Sequence, residues 1–157
     1  MSGFDPAWLA LREPADHRAR NAELASALAA RFALRDRISV VDLGCGSGSN
    51  LRALAEILPT TQSWTLVDYD PALLAAARET LSLWADSVTV DADDRLVLVA
   101  KGRSLTVRFL RYDLNADLGA VLGEAPDLVT AAAFFDLAST AFIRRLAQAV
   151  IDRRAVF

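Results

Sequence analysis

The sequence predicts an α/β fold in which helices cover both faces of a parallel sheet, giving a three-layer sandwich. Short apolar and β-branched runs alternate with helical patterns of about 10–15 residues, as the crossover units of a parallel sheet require. A glycine-rich stretch joins the first of these runs to its helix. Hydrophobic residues make up 54% of the 157 residues, which is enough to bury one core.

The chain divides into two predicted parts. Residues 1–35 form an N-terminal arm followed by a helix over 16–32, with Asp16 as its N-cap and His17 as an exposed residue near its start. Residues 36–157 hold the sheet and its helices. We therefore expect a single core, in the second part, against which the arm packs.

Two strand-and-helix units open the second part. The predicted elements are a strand over 38–43, a helix over 49–58 capped by Ser49 or Asn50, a strand over 64–67, and a helix over 73–84. Pro71 suits the first position of that last helix, with Asp70 as its N-cap. Pro59 ends the helix before it.

The alternation of strands and helices is interrupted over residues 86–111. The runs 96–100 and 105–110 flank Lys101-Gly102-Arg103 and predict a β-hairpin, whose second arm is also the third strand of the sheet. The acidic stretch before it lacks the ligand spacing of a calcium loop and is expected to be a solvated turn.

The last segment continues the alternation. It predicts a loop over 119–126 with one helical turn, a fourth strand over 128–133, a helix over 139–153, and the first residues of a fifth strand at 155–157. We expect a sheet of four to five strands that is incomplete, because the chain stops inside an apolar run.

Charge and composition exclude several classes of function. The formal charge of −3 and the pI of about 5.1 disfavour a nucleic-acid partner. No apolar run reaches the ~18–20 residues of a membrane span, and no secretory signal is visible, so we expect a cytoplasmic protein. One cysteine and one histidine exclude an internal disulfide and disfavour a zinc site, so no metal is expected.

The glycine-rich stretch is a candidate ligand loop. Gly44, Gly46 and Gly48 follow a buried strand at alternate positions, and glycine lets a ligand approach the main chain and permits positive φ. A helix begins directly afterwards, and its first amides carry partial positive charge. A plain strand-to-helix turn would need only one glycine, so a ligand loop is the better interpretation.

Two aspartates end neighbouring strands and are candidate binding residues. Asp68 ends the second strand, where an acid receives ribose hydroxyls, and Asp113 ends the third, where it could accept from an adenine amino group. The alternatives are a turn aspartate before a proline and an Asx turn. The pattern indicates a ligand that contains adenosine. The G-x-G-x-G spacing argues against NAD, and no phosphate-gripping loop for ATP is present.

Four segments together resemble the class I S-adenosylmethionine-dependent methyltransferases. Residues 41–48, Val-Asp-Leu-Gly-Cys-Gly-Ser-Gly, resemble the first motif of that family, and residues 66–71, Leu-Val-Asp-Tyr-Asp-Pro, resemble its second. Tyr112-Asp113-Leu114 and the stretch 126–135 resemble its later, looser motifs. The resemblance spans about residues 36–157 and implies a Rossmann-like domain with S-adenosyl-L-methionine as cofactor.

The resemblance also implies roles for individual residues. At the methionine end of the cofactor, Gly44, Cys45 and Gly46 would line the site, and Asp42 would orient the loop and the amino end. Asp68 would hold the ribose hydroxyls, and Tyr69 would lie along the adenine. Asp113 and Leu114 would meet the adenine edge, and Ala131 would lie near the transferred methyl group. Cys45 is then a small loop residue and no nucleophile, because no cationic partner stands at hydrogen-bond spacing.

The predicted function is methyl transfer to an acceptor that the residues do not identify, and we expect a small molecule. No catalytic residue declares itself, although Asp136, Arg18 and Arg20 are candidates for a base or a carboxylate grip. The alternative is a non-catalytic binding or interaction module on the same fold.

The sheet of the methyltransferase family has seven strands, whereas this chain supplies four and the start of a fifth. The resemblance therefore implies that this chain is a truncated domain. Its exposed fourth-strand edge would then allow a homodimer, and the fragment could bind cofactor without turnover.

Overall fold

The computed structural model describes residues 5–157, and within them six strands form one sheet. The strands are β1 (Arg37–Leu43), β2 (Thr61–Asp68), β3 (Ser87–Val90), β4 (Leu96–Ala100), β5 (Arg103–Arg111) and β6 (Leu128–Thr130). Their order across the sheet is β3-β4-β5-β2-β1-β6. The four strands β5, β2, β1 and β6 are parallel, while β3 and β4 join as antiparallel neighbours. The predicted α/β class is confirmed.

Helices cover both faces of this sheet, as the sequence predicts. They are α1 (Pro6–Arg18), α2 (Ala22–Phe32), α3 (Ser49–Leu54), α4 (Pro71–Trp84), α5 (Leu118–Leu122) and α6 (Thr140–Asp152). Alternate residues of β1 explain the layering: Ile38 and Val40 pack with α2, α3 and α4, whereas Val41 and Leu43 pack with α5 and α6. The two apolar clusters therefore lie on opposite faces of one sheet.

The N-terminal part differs from its prediction. The single helix over 16–32 is wrong, since α1 and α2 are separate, and residues 6–14 are helical instead of an arm. The first helix begins earlier because Asp5 caps it and Pro6 occupies its first turn. The second begins anew because the side chain of Asn21 accepts from the amides of Glu23 and Leu24. Residues 1–4 of the predicted arm lie outside the described residues.

Three boundaries of the second part also need correction. Gly48 is the N-cap of α3, so neither Ser49 nor Asn50 caps it. The predicted strand over 128–133 ends at Thr130, because the chain turns at Ala133, whose φ is 52°. Strand β3 was not predicted, since its four side chains are all exposed and carry no burial pattern.

The helix predicted over 49–58 ends at Leu54 and continues as a 3₁₀ turn over Ala55–Ile57, and β2 begins at Thr61 instead of residue 64. The remaining elements lie close to their predicted bounds. Asp70 caps α4 and Ser139 caps α6, while the hairpin β4–β5 turns at Lys101 and Gly102. Val156 forms a single parallel bridge to Leu128, where the start of a fifth parallel strand was expected. The division into residues 1–35 and 36–157 stays a prediction.

Within residues 5–157, we find no helix with the length and apolar character that crossing a membrane would take.

Candidate functional site

A cavity of about 1000 Å³ lies at the carboxyl ends of the parallel strands. This is the edge where ligands bind in open α/β sheets. Its wall includes most of the predicted site residues, namely Gly44, Cys45, Gly46, Asp68, Tyr69, Asp113 and Leu114. The volume is at the upper end of the ~300–1000 Å³ of small-molecule sites.

The glycine loop is held in place by backbone hydrogen bonds. Cys45 donates its amide to the carbonyl of Val67 at 3.0 Å, and Gly48 donates to the carbonyl of Cys45 at 2.9 Å. Gly44 has φ 65° and Gly46 has φ 53°, values that favour glycine. A Cβ on Gly44 would lie 2.7 Å from Cδ2 of Phe134, so the ring of Phe134 covers this part of the loop.

Asp68 joins the loop to the tip of β2. Its Oδ2 accepts from the amide of Gly46 at 3.0 Å, and its Oδ1 accepts from the amide of Asp70 at 3.0 Å. Each carboxylate oxygen has a second lone pair, which leaves capacity for hydroxyl donors from the cavity. Asp68 is only 8% exposed, so its carboxylate faces this cavity and not bulk solvent.

Asp113 lies at the tip of β5 in an Asx turn. Its Oδ1 accepts from the backbone amide of Asn115 at 2.9 Å and from the side-chain amide of the same residue at 3.2 Å. The turn that the sequence offered as an alternative is therefore present. The residue still lines the cavity, so the adenine role stays a prediction.

Asp42 lies beneath the loop and does not form the cavity wall. Its Oδ1 accepts from Nδ2 of Asn50 at 3.0 Å, while its Oδ2 is buried without a partner in the described part of the chain. Burial raises the pKa of Asp42 to about 7, against the opposing effects of the Asn50 hydrogen bond and the Arg20 charge. This carboxyl can therefore be neutral near physiological pH.

Asn50 links three elements and was missed as a functional residue. Its Nδ2 also donates to Oγ1 of Thr130 at 3.0 Å, and its Oδ1 accepts from Nη2 of Arg20 at 2.8 Å. The sequence offered Asn50 only as a helix cap. No local pattern could reveal partners that lie 30 and 80 positions away.

The helix α1 forms a roof over the cavity. Trp8, Leu9 and Arg12 line it, and Cδ1 of Leu9 comes within 3.4 Å of where a Cβ on Gly46 would lie. Three side-chain contacts fasten this segment to α3. Glu13 pairs with Arg52, Nε2 of His17 lies 2.9 Å from Oγ of Ser49, and Arg20 reaches Asn50. His17 therefore lies near the end of α1, half-buried, and not at a helix start.

Cys45 and Ala131 differ in how they relate to the cavity. Burial raises the pKa of the Cys45 thiol, and the negative charges of Asp42 and Asp68 act in the same direction, which agrees with its expected lack of nucleophilic character.

Ala131 packs against the apolar cluster of α5 and α6, while Ala132 and Ala133 line the cavity. The methyl-site role of Ala131 stays a prediction.

Two of the three candidates for a base or a carboxylate grip lie at the cavity, and one does not. Asp136 and Arg20 line the cavity, whereas Arg18 is exposed and does not. No cluster of three or more potential metal ligands occurs in the part of the chain from residue 5 onward.

Comparison with known proteins finds a family model that matches the part of the chain around the glycine loop. A family model described as a methyltransferase domain matches residues 40–94, which include the glycine loop and Asp68. No curated protein sequence matches the chain. The match covers the two motifs on which the resemblance mainly depends.

Solved structures share the fold over nearly the whole chain. A Methanococcus maripaludis protein assigned as an S-adenosyl-L-methionine-dependent methyltransferase is 14% identical with a TM-score of 0.60, and the match covers 99% of this chain and 63% of that one. Magnesium protoporphyrin IX methyltransferase from Synechocystis is 20% identical with a TM-score of 0.56, covering 94% and 65%. Both likenesses show the fold.

A third structure shares more of the sequence. An amino pentose methyltransferase from Micromonospora echinaspora, involved in calicheamicin biosynthesis and solved with S-adenosylmethionine bound, is 25% identical with a TM-score of 0.52. The match covers 96% of this chain and 52% of that one. The chain thus spans less than two thirds of each of these three proteins.

The chain shares its glycine-loop motifs and its fold with the class I S-adenosylmethionine-dependent methyltransferases, as the motifs predict. The predicted Rossmann-like fold and the predicted cofactor, S-adenosyl-L-methionine, are those of this family.

Proposed function

We propose that this chain binds S-adenosylmethionine in the cavity at the strand tips and takes part in methyl transfer to a small molecule. The observation that carries the proposal is the junction of the glycine loop with Asp68, where the amide of Gly46 meets a carboxylate that lines the cavity. This pairing places the main chain of the loop and a hydroxyl acceptor side by side. An adenosine-containing cofactor with an amino-acid end needs both.

The described residues fit such a group. Three positions of the loop are left-handed glycines without a side chain, the carboxylate of Asp68 retains lone pairs, and the unpartnered Oδ2 of Asp42 lies beneath the loop. When bound, the cofactor supplies an activated methyl group for in-line displacement.

The chain's own contribution would be to bind, orient and exclude water. The loop and Asp68 would fix the orientation, and the roof residues Trp8 and Leu9 would limit access of water from above. If the acceptor must lose a proton, Asp136 in the cavity wall is the candidate base. Phe134 and Leu137, close to Asp136 in the sequence, also line the cavity and make this part of the wall apolar. An apolar wall favours a small, largely apolar acceptor.

Two measurements test the proposal. Calorimetric titration with S-adenosylhomocysteine should show a single site, and absence of binding would contradict the proposal. A radiolabelled-methyl assay on the full-length protein with a panel of small acceptors should show transfer. Cofactor binding without transfer to any acceptor would favour the alternative, a non-catalytic module on this fold. A homodimer and a cytoplasmic location stay predictions.

A further inference from the structure

The two edges of the sheet end differently. At β6, Val129 donates its amide to the carbonyl of Val156 at 2.8 Å, so this edge is partly paired. At the other edge, no segment among residues 5–157 pairs with the outer side of β3. None of the four residues of β3 is charged or a proline, the usual protections of a sheet edge against pairing. The unpaired edge therefore lies opposite the one at which the sequence predicts a homodimer.

The two faces of β3 carry different side chains. Val88 lies opposite Leu98 of β4, and directly opposite residues share a face of the sheet. Val90 lies opposite Leu96 in the same way. Both leucines are buried in the apolar cluster on the α4 side, whereas Val88 is 37% exposed and Val90 is 56% exposed. This apolar row thus ends at the edge in two valines, while Ser87 and Thr89 point to the other face.

The main-chain groups of the same two valines point away from β4. Asp91, just after β3, donates its amide to the carbonyl of Arg95 at 3.0 Å. In an antiparallel pair, hydrogen-bonded and non-bonded residues alternate along each strand. Counting back from Asp91, Thr89 faces β4, and the N–H and C=O groups of Val88 and Val90 face outward. The edge therefore offers donors and acceptors to a further strand.

We propose that β3 pairs with β3 of a second copy of this chain, antiparallel, about a two-fold axis at Thr89. Each Val88 then lies opposite Val90 of the second copy, so the outward main-chain groups bond to one another and the valines pack on one face. On the other face, the two Thr89 side chains meet at the axis. A slip of one residue would move the valines to the polar face, so the alternation restricts the register.

The apolar face distinguishes this register from the next one with the same alternation. With the axis at Val88, each Val90 would lie opposite Asp86 of the second copy. That arrangement places a carboxylate against a valine on the apolar face, where it would lose water without gaining a partner. The axis at Thr89 avoids this contact.

The charges at the edge also fit the axis at Thr89. The carboxylate of Asp91 then faces the hydroxyl of Ser87 of the second copy, from which it can accept a hydrogen bond. The two Asp91 residues lie four positions apart along the strands, about 13 Å, which exceeds the Debye length at physiological salt. Each is also compensated within its own chain, because Nε of Arg95 lies 2.8 Å from Oδ2 of Asp91.

The contact leaves both cavities accessible. No residue of β3 lines the cavity. The two-fold axis also reverses the strand direction, so the carboxyl ends of the parallel strands point opposite ways in the two copies. The dimer is therefore independent of the proposed function. Because only a short strand is shared, we expect a weak dimer, with a dissociation constant above about 1 μM.

Sedimentation velocity over loading concentrations of about 5 to 500 μM measures the association. Val88→Lys should weaken it at least about tenfold, because a lysine at the edge opposes strand pairing. Val99→Lys is the matched control and should associate like the wild type. Val99 is also an exposed valine, at 43%, but it lies on β4 and on the opposite face of the sheet.

A cross-linking experiment tests the register without destabilising the edge. In Thr89→Cys, the new thiols of two copies lie directly opposite each other, at a separation of about 4.5–5.5 Å between Cα atoms that suits a disulfide. The native Cys45 is buried and does not compete. Ser87→Cys is the control, because its two thiols would lie about 13 Å apart. Under mild oxidation, Thr89→Cys should give at least about fivefold more covalent dimer on a non-reducing gel.

Three results would overturn the proposal. The first is a wild type that sediments as a monomer at every concentration. The second is equal association of the wild type and a folded Val88→Lys, as judged by far-ultraviolet circular dichroism, which would place the contact elsewhere. The third is equal cross-linking of Thr89→Cys and Ser87→Cys, which would indicate random collision. None of these results bears on cofactor binding, so the proposed function is tested separately.

Discussion

The floor and the roof of the cavity are held by different forces. The floor, made by the glycine loop and the tips of β1 and β2, rests on backbone hydrogen bonds and on fully buried residues such as Leu43 and Leu51. The roof, helix α1, buries none of its residues and is fastened by the polar contacts of Glu13 and His17, with Arg20 just beyond its end. We expect the floor to be rigid, and we expect the roof, which buries none of its own residues, to open more readily.

This contrast has a functional meaning. A cofactor must enter and leave past a covering element, and α1 buries none of its own residues. We expect the floor to keep the binding geometry when the roof opens.

The largest effect concerns the charge buried in the floor. Because burial raises the pKa of Asp42 to about 7, the folded chain holds a proton between about pH 4 and 7 that the unfolded chain has lost. Stability relative to Asp42→Asn should therefore fall as pH rises through this window, by on the order of 4 kcal/mol in total. Urea unfolding of both proteins at a series of pH values measures it. A difference that is independent of pH would contradict the buried, partly neutral carboxyl.

The next prediction compares how much side-chain packing in the floor and in the roof contributes to the free energy of unfolding. Leu51→Ala should lower the free energy of unfolding by about 3 kcal/mol, because Leu51 is fully buried beneath the loop. Leu9→Ala in the half-exposed roof should cost less than about 1 kcal/mol. Urea unfolding at one pH provides both values. Equal costs would show that the roof is packed as firmly as the floor.

A third variant addresses the close approach of Phe134 to the glycine loop. Gly44→Ala should weaken S-adenosylhomocysteine at least about tenfold, since its Cβ would lie 2.7 Å from Phe134 and the ring would have to shift within the site. Gly102→Ala is the control, because Gly102 has φ 72° but nothing within 4 Å of its Cβ. Both variants carry similar backbone strain.

Calorimetry with both glycine variants separates strain from steric blockage. If Gly102→Ala weakened binding as much as Gly44→Ala, the effect would be one of stability and not of the loop.

The smallest expected effect is on the roof alone. Glu13→Gln removes the charge that pairs with Arg52, so the amides of α1 should exchange about 3- to 10-fold faster, while those of β1 and β2 stay unchanged. Glu79→Gln on the exposed face of α4 is the matched control. Hydrogen exchange followed by mass spectrometry resolves the two regions. Equal acceleration in β1 would mean that Glu13 supports the whole domain.

The same contrast explains what could be predicted from the sequence. The floor is local: the strand over 38–43, the glycines after it and Asp68 before Pro71 each carry a signal within a few residues. The helix α4 was placed correctly because the Asp70-Pro71 pair marks its start. The equivalent Asp5-Pro6 pair starts α1, but the residues after it have no apolar periodicity, and the helix was missed.

The rest of the site depends on contacts between distant positions. Arg20 with Asn50, Arg52 with Glu13 and Phe134 on Gly44 join residues 30 or more positions apart, and no spacing in the chain records them. Strand β3 was missed for a related reason. Its pairing with β4 comes from backbone hydrogen bonds alone, and its exposed side chains show no alternation of burial.

The most direct test of the account is the affinity of S-adenosylhomocysteine for the wild type and for Asp68→Asn, measured by calorimetry with the exposed Glu124→Gln as control. The account predicts binding by the wild type and by the control, and at least about tenfold weaker binding by Asp68→Asn, because a charged acceptor of hydroxyls is lost. Equal affinity of Asp68→Asn and the wild type would contradict the assignment of the cavity as the cofactor site.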